Sequence, residues 1–225
     1  MKKNIILLAL LSCSFFSFSQ NTPPSNAEMA FRADFNYLNL ENGVLLVRLS
    51  NPQKKIAALR KYGYSEEANN TQMIQDNENK EIIKSFKDEF TFCKPYFFFS
   101  EHSNLVRAKD FSEPIFLDDN LKIDPSITLT SETFLIAEFG NVKQDPASYK
   151  DFYVSDSDDG YKKSPTYWGG PDLHFSALTM MSDQFIQLRR PFPRYARTFS
   201  SLGVLKRSVK NTVIRLNKKL IKFGN

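Results

Sequence analysis

The spacing of apolar positions changes several times along the chain, and each spacing predicts a different element. Val44 to Leu49 (VLLVRL) is a short apolar run after Gly43, typical of a strand that is buried on both faces. Similar runs predict further strands. They are 96–100 (YFFFS), 114–117 (PIFL), 134–139 (FLIAEF) and 175–181 (FSALTMM), with 185–188 returning as a hairpin partner after a turn at 182–184.

Helical spacing separates these runs. Ser50-Asn51-Pro52 predicts the start of a short helix that Gly63 ends, and Ser65 begins a longer helix that runs to about Phe90. A strand followed by such helices usually returns to a parallel neighbour, so YFFFS is expected to pair with VLLVRL. An amphipathic last helix is predicted after Ser208 by apolar residues that recur every three or four positions. These residues are Val209, Val213, Leu216, Leu220 and Phe223.

The order strand, helices, strand, irregular strands, hairpin, helix predicts an α/β fold, a mixed sheet with helices packed on it. This order is loosely thioredoxin-like, which by itself conveys no activity. Residues 43–225 are predicted to form a single α/β domain. Residues 20–42 comprise a polar leader and a segment whose apolar spacing fits either a helix or a strand. Residues 143–173 form a long polar insertion, and loops of that length are usually functional or mobile.

The N-terminal residues predict export. Lys2 and Lys3 precede an apolar run, and small residues follow up to Gln20, so residues 1–19 are predicted to be a signal peptide. The protein is then expected in the periplasm or outside the cell, with no membrane-spanning segment in the mature chain. Lipid anchoring through Cys13 in LLSC is an alternative that the sequence leaves open.

Export also determines how the cysteines are interpreted. If Cys13 is removed, Cys93 is the single thiol of the mature chain, which excludes an intramolecular disulfide and a CxxC redox pair. Cys93 lies among aromatic residues in FTFCKPYFFF and is interpreted as a small buried residue. A reactive thiol and a disulfide between two chains remain alternatives.

Charge is distributed unevenly along the chain. The last 42 residues, from Gln184 onward, contain eleven Lys or Arg and no Asp or Glu. They include LRRPFPRYART, in which the prolines exclude a helix and Phe192 and Tyr195 can anchor the segment while guanidinium groups project. An anion-binding surface is therefore predicted. Its residues are Arg189, Arg190, Arg194 and Arg197. The competing interpretation is that these arginines pair with the acidic surface of the protein itself.

Catalytic and metal-binding motifs are weak. His102 and His174 lie in polar stretches, no G-x-S-x-G or phosphate-binding loop occurs, and Asp156–Gly160 does not fit a calcium-loop frame. No catalytic residue, metal site or cofactor is predicted. A carbohydrate-active hydrolase remains an alternative, since the carboxylates of Asp156 to Asp159 lie near aromatic residues that could stack on a sugar. Those residues are Tyr161, Tyr167 and Trp168.

Three stretches, VLLVRL, FTFCKPYFFF and QLRRPFPRYART, resemble those of a family of exported bacterial proteins with no established activity. The resemblance extends from about Gly43 to the C-terminus and implies one exported domain, with no site residues to carry over. The sequence as a whole predicts a non-catalytic protein that binds an anionic lipid, an acidic glycan or an envelope protein. Export argues against nucleic acid as the partner. A redox-inactive thioredoxin-like domain is a further alternative.

Overall fold

The computed structural model describes residues 26–142, 149–156, 160–167, 175–199 and 206–224. The helices are α1 (Asn26–Glu41), α2 (Gln53–Lys61), α3 (Ser65–Glu89), α4 (Ser103–Ala108) and α5 (Val209–Gly224). The strands are β1 (Val44–Leu49), β2 (Lys94–Phe99), β3 (Phe134–Asn141), β4 (Tyr149–Asp156), β5 (Gly160–Tyr167), β6 (Ser176–Met181) and β7 (Tyr195–Arg197). The predicted signal peptide, including Cys13, lies outside the described residues.

Five strands form a mixed sheet in the order β2-β1-β3-β6-β7. Strand β1 is parallel to both β2 and β3, whereas β6 is antiparallel to β3 and β7 is antiparallel to β6. The α/β prediction and the parallel return of YFFFS are therefore confirmed. The likeness to thioredoxin concerns the order of elements only and stays an analogy.

Apolar side chains cover both faces of the sheet. On one face, alternate β1 residues such as Leu45 and Val47 pack in a cluster with residues of α1, α3 and α5. On the other face, Leu46 packs in a second cluster with Val106 of α4 and with the irregular segment around Phe116. Every β1 residue except Arg48 is buried, which matches the prediction of a strand buried on both faces.

Helix boundaries follow the local signals closely. Helix α2 begins at Gln53, immediately after Pro52, and Gly63 stands after its end with φ of 84°. That backbone conformation is open to glycine and unfavourable for other residues, which explains the break between α2 and α3. Helix α5 follows Ser208, whose hydroxyl accepts a hydrogen bond from the backbone N–H of Asn211 at 3.2 Å.

The N-terminal segment that fitted either a helix or a strand is helix α1. The apolar stripe visible in the sequence is not the buried one, because Phe31, Phe35 and Leu38 are all more than half exposed. The buried face carries Ala33 and Leu40 instead. Tyr37 also packs against the core, whereas the rings of Phe31 and Phe35 face outward.

Three predicted segments differ from the structure. PIFL forms no strand, and its residues Phe116 and Leu117 make only isolated bridges. Residues 185–188 do not form the predicted hairpin strand, since only Gln187 makes an antiparallel bridge to β6. The strand that pairs antiparallel with β6 there is β7. The polar insertion is not a structureless loop, since β4 and β5 pair antiparallel as a separate two-stranded sheet.

Candidate functional site

The arginine-rich segment, LRRPFPRYART (residues 188–198), follows β6, includes β7 and is held by its aromatic residues. Phe192 is only 2% exposed and packs in the core, with its ring 5.9 Å from that of Phe223 in α5. Arg189 and Arg190 are exposed, as is Arg197 in β7, and Arg194 is half-buried. The predicted arrangement, in which an aromatic anchor holds a segment that carries exposed arginines, is observed.

The basic residues converge on Tyr195, the first residue of β7. Lys219 of α5 donates a hydrogen bond from Nζ to the Tyr195 carbonyl at 2.8 Å, and the same ammonium lies 5.3 Å from the centre of the tyrosine ring. Arg207 donates from Nη1 to the Arg197 carbonyl at 3.0 Å and also to the Phe199 carbonyl. We call Tyr195, Arg197, Arg207 and Lys219 the Tyr195 cluster.

Two pKa shifts reflect the density of positive charge in this cluster. Burial lowers the pKa of Lys219, and the neighbouring cations Arg215, Arg197 and Arg207 lower it further, against an opposing effect of Tyr195. Burial raises the pKa of Tyr195, yet a hydrogen bond from Arg197 and nearby positive charges leave it below its ordinary value. Those charges are on Arg197, Arg194 and Arg190. The cluster is thus a region of positive potential.

Carboxylates compensate this charge only in part. Lys210 pairs with Glu89 at 2.8 Å, so one end of α5 does meet an acidic residue of α3. Glu78 and Glu81 line the same cleft as Arg207, but no ion pair joins them among the residues that the structure describes. Arg197 instead lies 5.0 Å from the centre of the Phe175 ring and 5.9 Å from that of Phe199. Its contacts are aromatic rather than acidic.

Exposed apolar groups accompany the cations. Arg32 of α1 lines a shallow cleft of about 270 Å³ together with Ile186, Arg189 and Arg190. The side chain of Ile186 is 67% exposed. Phe31 and Phe35 of the same helix are 71% and 56% exposed. The cationic segment therefore adjoins a surface with several exposed apolar side chains.

A second polar region lies at the carboxyl ends of the parallel strands. The connection from β1 to β2 crosses one face of the sheet through α2 and α3, and the connection from β2 to β3 crosses the other face through α4. The boundary between β1 and β3 is therefore a topological switch point, where open α/β sheets commonly bind ligands. An open cleft of about 500 Å³ lies there. We call it the strand-end cleft.

Arg48 and Glu138 form the floor of this cleft as neighbours in the parallel register of β1 and β3. Arg48 Nη1 lies 2.6 Å from Glu138 Oε2, and Arg48 Nε donates to Ser103 Oγ at 2.9 Å. The two charged side chains are 29% and 26% exposed. The sequence contained a signal for this pair. A charged residue stands one position before the end of each buried run, Arg in VLLVRL and Glu in FLIAEF, and this indicates a polar edge that the two strands share.

Phe185 lines the cleft, and its ring is close to two guanidinium groups. Its ring centre is 5.8 Å from Arg48 Cζ and 5.2 Å from Arg107 Cζ. Its backbone has φ of 60°, a left-handed conformation that is unusual for a bulky residue. A hydrogen bond from the Phe185 N–H to the Ser182 carbonyl at 3.0 Å holds this turn.

Cys93 is a largely buried thiol, and His102 is a partly buried histidine whose Nε2 has no hydrogen-bond partner among the described residues. Burial raises the pKa of the Cys93 thiol to about 12, against an opposing backbone hydrogen bond at Leu45, so the thiol is protonated at neutral pH. Cys93 packs against the core formed by α1, α3 and α5. His102 Nε2 is buried 3.7 Å from Glu101 Oε1. No group of three or more metal-ligating side chains occurs among the described residues.

The residues of the hydrolase alternative lie partly in β4 and β5 and partly outside the described residues. Asp156, Tyr161 and Tyr167 belong to β4 and β5, for which the backbone pairing is described. Asp158, Asp159, Trp168 and His174 lie outside the described residues. In the part of the chain that is described, no helix has both the length and the apolarity that a membrane crossing requires.

No family model matches the chain, and neither the curated proteins nor the solved structures contain a significant match. The resemblance to an exported bacterial family therefore stays a prediction.

Proposed function

We propose that this protein is a non-catalytic, exported protein that binds an anionic partner through the arginine-rich segment and the Tyr195 cluster. The proposal rests on the positive charge around Tyr195, which carboxylates neutralise only in part. The cations there contact aromatic rings, carbonyl oxygens and one another. Such a surface attracts anions because the described carboxylates cancel its positive potential only in part.

An anionic lipid surface is the preferred partner. Exposed Ile186 lines the cleft together with Arg189 and Arg190, and exposed Phe31 and Phe35 belong to α1, the helix whose Arg32 lines the same cleft. Interfacial binding combines burial of apolar groups with attraction between cations and lipid phosphates. Each Lys or Arg held near an anionic membrane surface contributes about 1 kcal/mol.

A vesicle-binding experiment tests the proposal. The quadruple variant R189Q/R190Q/R194Q/R197Q is compared with the parent on vesicles of phosphatidylglycerol and phosphatidylcholine at increasing salt. The parent is expected to bind only the anionic vesicles and to lose affinity with salt, because exposed charges are screened over about 8 Å at physiological ionic strength. The variant is expected to bind at least about a hundredfold more weakly.

The matched control is K54Q/K55Q/R60Q/K61Q, which removes four exposed cations of α2 and the same net charge. It is expected to bind like the parent. Equal losses in the two variants would show that net charge alone drives binding and would contradict the proposed site. Binding of a soluble acidic polysaccharide but not of vesicles would keep an anionic partner and reject the lipid surface. A parent that binds neither would overturn the proposed function.

Export is tested independently by intact-mass analysis of protein from the cell envelope and medium. A chain that begins near Gln20 is expected after signal-peptide cleavage. A fatty-acylated N-terminal Cys13 would instead support the lipid-anchored alternative.

A further inference from the structure

The strand-end cleft contains donors that the protein itself does not use. Arg48 donates from Nε to Ser103 and from Nη1 to Glu138, while its Nη2 has no hydrogen-bond partner among the described residues. The guanidinium of Arg107 contacts the Phe185 ring and likewise makes no hydrogen bond within the described part of the chain. Two guanidinium groups thus keep free donor capacity around one cleft.

The charges of the described residues that line the cleft do not cancel. Arg48 and Arg107 carry two positive charges, and Glu138 carries one negative charge. The nearby Lys109 pairs with Asp183 at 3.0 Å, so that pair adds nothing to the balance. One positive charge is therefore left for a ligand. A monoanion neutralises this remaining positive charge, whereas the second negative charge of a dianion would be repelled by Glu138.

The cleft also offers an apolar surface. The Phe185 ring contacts both guanidinium groups, and Met181 also lines the cleft. The volume of about 500 Å³ is within the range of about 300–1,000 Å³ that small-molecule sites usually occupy. An unusual backbone conformation at Phe185 holds the ring in this place, and conformations of this kind concentrate at ligand sites.

We propose that the strand-end cleft binds a small organic carboxylate that carries an apolar or aromatic body. The carboxylate meets the guanidinium groups of Arg48 and Arg107, whose planar donors match its two oxygens. The body packs on Phe185 and Met181. This site adjoins the cleft of the arginine-rich segment, since Gln187 lines both, but none of the four arginines lines it, and it does not depend on the proposed binding of an anionic surface.

The chain provides an internal reporter for this site. Met181 lines the cleft, whereas the adjacent Met180 belongs to the core on the opposite face of the sheet. Protein labelled with ¹³C at the methionine methyl groups is titrated with benzoate, with benzyl alcohol and with inorganic phosphate. Benzoate is expected to shift the Met181 signal through its ring current and to leave the Met180 signal unchanged. The other two probes are expected to shift neither signal.

Arg107→Gln tests the role of the guanidinium groups. Arg107 is exposed and makes no ion pair in the described chain, so the variant is expected to fold and to keep the Met180 signal of the parent. Its affinity for benzoate is expected to fall about tenfold, the loss that follows removal of one charge-assisted hydrogen bond. The matched control is Arg60→Gln on α2, which should bind benzoate like the parent.

Four results would overturn the proposal. They are an unmoved Met181 signal with benzoate, an equal shift with benzyl alcohol, displacement of benzoate by phosphate, and unchanged affinity in Arg107→Gln. Benzoate binding by the parent and loss of vesicle binding in the quadruple arginine variant are two separate results. Either can be obtained without the other, so failure of this proposal is distinguishable from failure of the proposed function.

Discussion

The strand-end cleft and the Tyr195 cluster both contain arginines next to aromatic rings, yet they differ in how their charge is compensated. Arg48 is fixed by Glu138 and Ser103 and lies against Phe185. Arg197 lies against Phe175 and Phe199 without a carboxylate partner among the described residues. A cation that has an ion-pair partner in the fold stabilises the structure, and only the hydrogen-bond donors that this partner leaves unused can bind a ligand. Unpaired cations contribute little to the fold and produce a potential that extends to a partner.

The apolar anchor of the arginine-rich segment should produce the largest effect. Phe192→Ala removes a fully buried ring between the segment and α5, and such truncations cost about 3–5 kcal/mol of unfolding free energy. Chemical denaturation of this variant and of the quadruple arginine variant gives the comparison. The arginine variant should lose only about 1–2 kcal/mol, from contacts with aromatic rings. A reversed order of the two losses would mean that charge, and not the buried ring, holds the segment.

A smaller loss is expected from the floor of the strand-end cleft. Arg48→Gln leaves the Glu138 carboxylate without its partner, and we expect a cost of about 1–3 kcal/mol because both side chains are partly exposed. A double-mutant cycle with Glu138→Gln, measured by denaturation, should show a favourable coupling energy. Arg197→Gln is the matched control and should cost less than Arg48→Gln. Similar losses in the two single variants would remove the distinction between the two regions.

The potential of the Tyr195 cluster should be measurable with little change in stability. Because the pKa of Tyr195 lies below its ordinary value of 10.0, Arg197→Gln should raise it, as followed by NMR of ¹³Cζ-labelled tyrosine. Tyr37, whose pKa is raised by burial and by Glu41, should titrate as before and serves as the control. A Tyr195 titration that does not respond to Arg197→Gln would contradict the assigned cause.

The lowered pKa of Tyr195 also determines the direction in which stability changes with pH. A depressed pKa in the folded state means that the contribution of Tyr195 to the unfolding free energy is present above the unfolded value of about 10. That contribution is lost as the pH falls through the folded pKa. Arg197→Gln should therefore reduce a stabilisation that appears only at alkaline pH, and leave stability at pH 7 nearly unchanged.

The sequence by itself determined the elements whose signals are local. A continuous apolar run is enough to specify β1, Gly63 ends α2 through its own backbone freedom, and the three-and-four spacing after Ser208 specifies α5. It also named Phe192 and Tyr195 as anchors of the arginine-rich segment, and of these two Phe192 is fully buried and Tyr195 half-buried. Each of these features depends on residues within a few positions of one another.

Only the tertiary structure decided the features that join distant residues. The sequence did not show which face of α1 is buried, because that depends on the shape of the sheet beneath the helix. The polar clamp at Asn217 was missed for the same reason, since its amide oxygen accepts from the N–H groups of Thr91 and Phe92 at 3.2 and 3.1 Å. Arg48 and Glu138 are 90 positions apart and meet only because β1 and β3 are parallel neighbours in that register. Strand order and register result from packing over the whole chain, and no local pattern encodes them.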